Sequence, residues 1–433
     1  MILLEKIFFY LLVFCLPFQT RKIIYQFGED FNEWTSIYLY LTDVLLILVF
    51  LFWIWRIRKN RFLKDFKIFQ LKNYSFWLLV FFIIGFISLI QARSLSLGFY
   101  SWLKLLEFIG LFFYLKCNYR EIFNFKRLAQ VFVASGLIQS IIAILQFFTQ
   151  KSLGLRFLTE SPLGVNIDGV AKFTVDGSTF IRAYGSLPHP NVLAFFLLIS
   201  IFFLYFLWLE KKHSLNINLL LIAIYSLLIT ALFLTFSRII IVLFVLSSLF
   251  YFIFEFCKSR KKENKELSKK IILLFLLFIV SCLSFVVFAF PELFSRFSVS
   301  SAEQSVTLRV LYNETAYSVI QEYPLIGIGL GNFVWEIREM LPLLSNWIHQ
   351  PVHNVYLLIS SEVGLLGLIV FLIFLYQLLK RFKKQNSVLF IIVICIIFVS
   401  LFDHFFWTLQ QGQLMFWLIL GLMTHLTVRE MGV

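Results

Sequence analysis

Twelve long apolar stretches recur along this chain, near residues 4–18, 37–55, 75–91, 99–116, 128–148, 190–209, 217–235, 238–256, 271–290, 354–379, 388–403 and 412–428. A helix rises about 1.5 Å per residue, so a hydrocarbon core of about 30 Å takes about 20 residues to cross. Repeated stretches of this kind point to helices that satisfy their own backbone hydrogen bonds inside a bilayer. The chain is 60% hydrophobic and 14% charged, with a mean hydropathy of +0.88. A water-soluble fold could not cover that much apolar surface. The expected class is an all-α polytopic membrane protein with about twelve transmembrane helices, forming one integral membrane domain over 1–433. The first stretch, "KIFFYLLVFCLPF", lacks the small-residue cleavage site of a signal peptide and reads as a retained helix.

Charge sets the expected orientation. An even number of spans puts both termini on one side. The loops "RIRKNRFLKDFK", "KCNYREIFNFKR", "LEKKHSLN", "CKSRKKENKELSKK" and "KRFKKQN" fall on that side too, and the whole face holds about 26 of the 38 Lys and Arg. It is therefore the cytoplasmic face. A net charge of +14 would suggest nucleic acid in a soluble protein; here it reports orientation, and no nucleic-acid partner is expected. Two longer connections, 149–189 and 291–353, fall on the outer face, and connections of that length usually carry function or structure of their own. In the second, "TLRVLYNETAYSVIQEYP" offers Leu308, Leu311, Ala316, Val319 and Ile320 as the apolar side of a short amphipathic helix. Trp335 and Trp347 suit the headgroup level.

The run from Asn216 to Phe256 holds one basic residue, Arg238, within "LFLTFSRIIIVLF". As one helix it would be about 60 Å long, so it must turn back near its middle. The turn falls on the outer face, at Arg238, beside Thr235 and Ser237. Helix-end arginines commonly snorkel to headgroups, whereas charge at membrane depth tends to mark function. The company Arg238 keeps on that face favours function. Arg182 stands in "FIRAYGSLPHPNVLAFF", Arg309 opens the amphipathic helix, and His353 and Asn354 head the tenth span. A guanidinium fork matches phosphate oxygens bidentately, so these arginines suit a lipid-linked phosphate. The alternative is that they pair with Glu314, Glu322 or Glu362.

Other features say less. "GIGLG" at 327–331 is superficially like a phosphate loop, but no strand precedes it, and a glycine-permitted turn is the simpler account. There is no H-E-x-x-H and no D-x-D, so metal-dependent chemistry has little support, and no cofactor is expected. Cys15, Cys117, Cys257, Cys282 and Cys395 are scattered without C-x-x-C spacing, which indicates neither a zinc site nor a disulfide framework. Asp43, within the second span, suits a polar anchor or a site wall. His213 lies on the cytoplasmic side. His404 and His425, near the ends of the last two spans, read as interfacial rather than chemical.

"RAYGSLPHPNVLA", "TFSRIIIVL", "TLRVLYNETAYSVIQEYPLIGIGLGNF" and "HNVYLLISSEVGLLGLIVF" follow one another in order on the outer face, with "ASGLIQSIIAILQFF" in the fifth span. In these the chain resembles the bacterial O-antigen ligase/polymerase superfamily, from about 128 to 375. The resemblance implies a GT-C-like glycosyltransferase of the bacterial inner membrane, working on its outer, periplasmic leaflet among membrane lipids. Its donor is a glycan linked to undecaprenyl diphosphate, and its acceptor a glycan or lipid A–core. Ligation of O-antigen onto lipid A–core is the expected reaction, and repeat-unit polymerisation the alternative. Matched by position, Arg238 and Arg309 take the diphosphate, Arg182 and the "PHPN" stretch form a further feature, and His353 is the catalytic histidine. His189 is the rival base, since "PHPN" and "PVHN" both set a histidine within two residues of an asparagine at a helix head. Asn191 and Asn354 suit helix caps. Glu362, two turns below His353, suits orienting polar neighbours or pairing with an arginine.

The chemistry agrees with this assignment. Breaking the anomeric C–O bond leaves negative charge on the lipid diphosphate, and fixed cations there stabilise developing charge more than the ground state. A neutral histidine accepts the acceptor's proton. Without a metal motif, arginines take the part of a divalent cation, and in-line displacement with inversion is expected. A transporter or flippase would set charges and broken helices near the midplane with repeat symmetry, and the sequence shows neither. A scaffold within an envelope-assembly complex is the third possibility.

Overall fold

The computed structural model describes residues 2–28, 31–60, 73–175, 177–210, 213–288, 304–381 and 387–424. Its helices are α1 (Ile2–Cys15), α2 (Leu41–Asn60), α3 (Tyr74–Ile87), α4 (Leu95–Asn118), α5 (Phe125–Thr149), α6 (Pro190–Glu210), α7 (Leu215–Leu234) and α8 (Arg238–Lys261). They continue as α9 (Lys265–Phe288), α10 (Gln304–Glu322), α11 (Phe333–Met340), α12 (Val355–Arg381), α13 (Ser387–Val399), α14 (Phe405–Thr408) and α15 (Gln410–Leu422). Among the described residues, eight helices are long and apolar enough to cross a membrane: α4 to α9, α12, and α3 with its short extension to Gln91. The chain is a helical membrane protein.

The other four expected spans fall on α1, α2, α13 and α15. The first and the last two have 14, 13 and 13 residues, and each reaches only about 20 Å. The span expected from 37 begins at Leu41, because Ser36–Tyr40 is a strand, β2, antiparallel to β1 (Arg21–Gln26). Its "SIYLY" alternates, with Ser36, Tyr38 and Tyr40 turned inward. A second hairpin, β3 (Lys172–Val175) with β4 (Ser178–Ile181), lies in the 149–189 connection. In the 291–353 connection only 304–353 is described. There α10 buries Tyr312, Ala316 and Val319. His425 lies outside the described residues.

Helix α6 is the hub. "PNVLAFFLLISIFFLYFLWLE" is apolar on every side, as a central helix must be, and 83% of its apolar stretch is buried against α5, α7, α8 and α13. Helix α9 sits at the rim, with 17% buried. Lipid tails are as apolar as leucine, so packing rather than water exclusion joins such helices. Ring pairs do much of it: Phe132–Phe196 at 4.6 Å, Phe195–Phe406 at 4.9 Å and Tyr205–Tyr251 at 5.7 Å, each worth about 0.5–1.5 kcal/mol. At the end of the bundle where α1 begins, Arg56 bonds Glu5 through two nitrogens (2.9 and 3.0 Å) and tethers α2 to α1.

Helix α12 is broken at Gly364, where φ is +80°. The backbone that opens there is satisfied by the turns at 324–331. Leu365 N–H donates to the Pro324 carbonyl (2.9 Å), Ile328 N–H to Ser361 (2.9 Å) and Gly329 N–H to Glu362 (3.0 Å). The "GIGLG" stretch is thus a seam closed against a kinked helix. A Cβ on Gly364 would stand 2.1 Å from the Leu325 carbonyl oxygen, and one on Gly327 2.5 Å from the Ser361 carbonyl oxygen. Backbone cannot yield as a flexible side chain would. Gly364→Ala is expected to remove most folded protein, read as lost monodisperse elution in detergent; wild-type yield and melting temperature would disprove the seam.

Candidate active site

The loops that join these helices at one end of the bundle enclose a cavity of about 820 Å³. Three helices start at its wall: α6 through His189 and Asn191, α8 through Ser237 and Arg238, and α12 through His353. Helix N-termini carry partial positive charge and unpaired amides, which favours an anion. Arg182 and Arg309 line the same space, so these seven side chains from four separate stretches of sequence share it.

Asn191 ties the wall together. It does not cap α6; its carboxamide oxygen accepts from Arg182 Nη2 (2.9 Å) and Ser237 Oγ (2.9 Å), and its nitrogen donates to Asp403 Oδ2 (2.7 Å). The amide of Asn191 instead donates to His189 Nδ1 (3.2 Å). Arg182 also reaches the Thr235 carbonyl through Nε (2.6 Å), at the turn where α7 ends and α8 begins. That turn is tight enough to hold Phe236 at φ +45°, its ring packed 4.5 Å from Phe173 on the β3–β4 hairpin. Arg309 donates to the Phe402 carbonyl (3.2 Å). Among the described ion pairs, none joins Arg309 to Glu314, Glu322 or Glu362.

His353 lies between two rings. Tyr312 of α10 stacks on it, nearly parallel at 5.7 Å, and His404 stands edge-on at 4.9 Å. Its Nδ1 is buried with no hydrogen-bond partner among the described residues. An unpaired buried imidazole nitrogen costs about 1–3 kcal/mol, so the position suits a group that arrives with a substrate. His189 differs: its Nδ1 is taken by the Asn191 amide, which puts the proton of the neutral ring on Nε2.

Two site residues escaped the sequence reading. Asp403 lines the cavity, with Oδ1 on the His404 amide (2.8 Å) and Oδ2 on Asn191. His404, expected at the interface, is instead buried, bonded through Nδ1 to Thr408 (2.7 Å) and packed on His353. The signal was "FDHFF": a charge beside an imidazole in an apolar run is costly unless it has partners. Two expected residues stand elsewhere. Asn354 caps α12, accepting from Tyr356 N–H (2.9 Å) and Leu357 N–H (3.0 Å). Glu362 receives the Trp407 indole N–H (3.0 Å) and lines a different cavity. Asp43 is an anchor, accepting from the Tyr40 amide (3.0 Å), Lys104 (2.6 Å) and Gln410 (2.5 Å).

Residues 223–372 match the family model described as O-antigen ligase. Over that stretch, about a third of the chain, the protein is similar to the O-antigen ligase/polymerase superfamily. No curated protein matches the chain. The O-antigen ligase stretch contains Arg238, Arg309 and His353, and the fold adds Arg182, His189, Asn191, Asp403 and His404 from outside it. The match supports an activity of the ligase/polymerase type, with glycan and lipid substrates in a membrane.

Burial sets the protonation of this site. It holds His189 and His353 at about 3 and His404 at about 4, all well below 6.5, with nearby arginines adding to the effect at His189 and His353. Burial opposes ionisation of Asp403, but His404, His353, His189 and the Asn191 amide outweigh it and keep the carboxyl below its usual range. At neutral pH the imidazoles are neutral and the aspartate is charged. Above pH about 6.5 folded and unfolded imidazoles are both neutral; below it the unfolded chain binds protons that the buried rings refuse. The melting temperature in detergent should therefore fall as pH drops from 6.5 toward 4, and fall less steeply in His404→Gln. Equal slopes in both proteins would remove His404 from this account.

Proposed function

We propose that the chain is an inner-membrane glycosyltransferase that takes a glycan from a polyprenyl-diphosphate donor at the outer leaflet and ligates it to a lipid A–core hydroxyl. The observation that carries this reading is one cavity that gathers Arg182, Arg238, Arg309 and His353 around three helix N-termini. Its volume of about 820 Å³ suits a diphosphate and the sugar it bears, within the range of about 300–1,000 Å³ usual for ligand sites.

In the proposed step the acceptor oxygen attacks the anomeric carbon. The bond from that carbon to the diphosphate oxygen breaks, and the electron pair leaves with the phosphate. Arg238 and Arg309 take the diphosphate and stabilise its growing charge. Arg182, held by Thr235 and Asn191, keeps the α7–α8 turn in place and adds positive charge. The acceptor proton passes to His353 Nδ1, the unpartnered nitrogen. Asp403, anionic beside it, stabilises the imidazolium that forms. His189 serves as a donor rather than the base, since its Nδ1 is occupied. The residues hold every charge this step requires without a metal.

Removing one donor to a developing anion typically lowers turnover by about 10²–10³-fold. Arg238→Ala and Arg309→Ala are expected to lose at least that much transfer in vitro while eluting as wild type, and Lys at either position to restore less than a tenth, because an ammonium lacks the bidentate fork. Near-normal turnover in either Ala variant would take that arginine out of the site. His353→Ala should lose transfer while still binding donor, and His189→Ala should lose less. In cells, deletion that leaves polymer on the lipid carrier and none on the surface supports a ligase; single repeat units on the acceptor would mean a polymerase, and an unchanged surface glycan would sink both.

A further inference from the structure

Behind the His353–His404 pair lies a second cavity, of about 110 Å³. At about 10–15 Å³ per water centre it has room for roughly seven to eleven waters, about what one sugar ring with its hydroxyls displaces. Its wall is built from the β1–β2 hairpin, α4, α14 and α15. Trp34, Tyr38, Tyr100 and Trp407 present aromatic surface, and Gln410 and Gln413 present amides. Two buried polar atoms on that wall lack partners among the described residues: the Trp34 indole nitrogen, a donor, and Gln410 Oε1, an acceptor. The basic side chain on that wall is paired, and Glu362, a carboxylate on the same wall, accepts the Trp407 indole N–H. Lys104 is paired with Asp43 (2.6 Å) and Glu107 (2.8 Å), and Glu33 with Arg21. Aromatic faces, an unused donor and acceptor, a carboxylate and no unpaired cation among the described lining residues suit a neutral polyhydroxylated ring, not a phosphate.

One side chain, His404, stands between residues that line the two cavities. His404 contacts His353 on the arginine side, and on the other it meets Trp34 (5.8 Å, edge-on) and Thr408 (2.7 Å), both of which line the second cavity. Pro351 lines the second cavity two residues before His353 lines the first. In a displacement at an anomeric carbon, the incoming oxygen and the departing phosphate lie on opposite sides. We infer that the second cavity is a subsite for a neutral pyranose of the acceptor, seated across the histidines from the diphosphate; this rests on the transfer reading above.

The test uses the full chain in a detergent without a sugar headgroup, probed with methyl α-D-glucopyranoside, methyl α-D-galactopyranoside and methyl α-D-mannopyranoside by saturation-transfer difference NMR. At least one pyranoside should give a signal that Trp34→Leu and Gln410→Leu each reduce at least fivefold and Arg309→Ala leaves in place. In transfer assays Gln410→Leu should raise the acceptor KM at least tenfold, with donor KM within twofold of wild type. No signal from any pyranoside on the wild-type protein, which would mean a cavity of ordered water only, overturns the subsite. So does a signal equal in both variants, or an unchanged acceptor KM. The binding measurement contains no donor, so the two ideas fail separately. Sugar binding by a wild-type protein that transfers nothing sinks the transfer reading; transfer without pyranoside binding sinks the subsite.

Discussion

A helix that ends leaves four amides or four carbonyls without partners, and where those ends are buried in protein they must find partners other than bulk water. Here the broken ends satisfy one another. Ala183 N–H donates to the Leu234 carbonyl and Val355 N–H to Ser400, so the strand leading into α6 is fixed to the end of α7, and the start of α12 to the end of α13. Asn191 then links the first of these pairs to the 400–404 loop, through Arg182, Ser237 and Asp403. The site is the place where this mutual satisfaction leaves a gap.

The same economy separates two kinds of chemistry. On one side of the His353–His404 pair, three helix starts and three arginines make a space for negative charge. On the other, Lys104 and Glu33 are cancelled by close partners, and aromatic rings, amides and the Glu362 carboxylate remain. A transferase that joins a charged donor to a neutral hydroxyl needs both environments with a proton acceptor between them. Neutral buried imidazoles beside an ionised aspartate fit that position, because the proton they take up is stabilised by a charge already present.

The kinked α12 serves a similar end. Gly364 opens the helix and the 324–331 turns close it, which anchors α12 to the loop that runs on to α11. His353 sits at the far end of the same helix, so its position depends on a seam about three turns away. A glycine pattern that looks like a ligand loop is here a structural joint.

Much of the architecture was legible from the chain alone. Hydropathy is a property of each stretch by itself, so it located the apolar helices, and the lone arginine in a double-length run located the α7–α8 turn. Charge per loop likewise suggested which ends share a face, and the chain order of Arg182, Arg238, Arg309 and His353 suggested a common site. What tertiary structure decided is how those ends face one another. One residue along a helix turns a side chain by about 100°, so whether Asn191 caps or bridges, and whether Glu362 reaches the arginines or Trp407, depends on neighbours that no local pattern encodes. Asp403 and His404 were passed over for the same reason. Their meaning comes from Asn191 and His353, which lie distant in sequence and meet them only when the bundle packs.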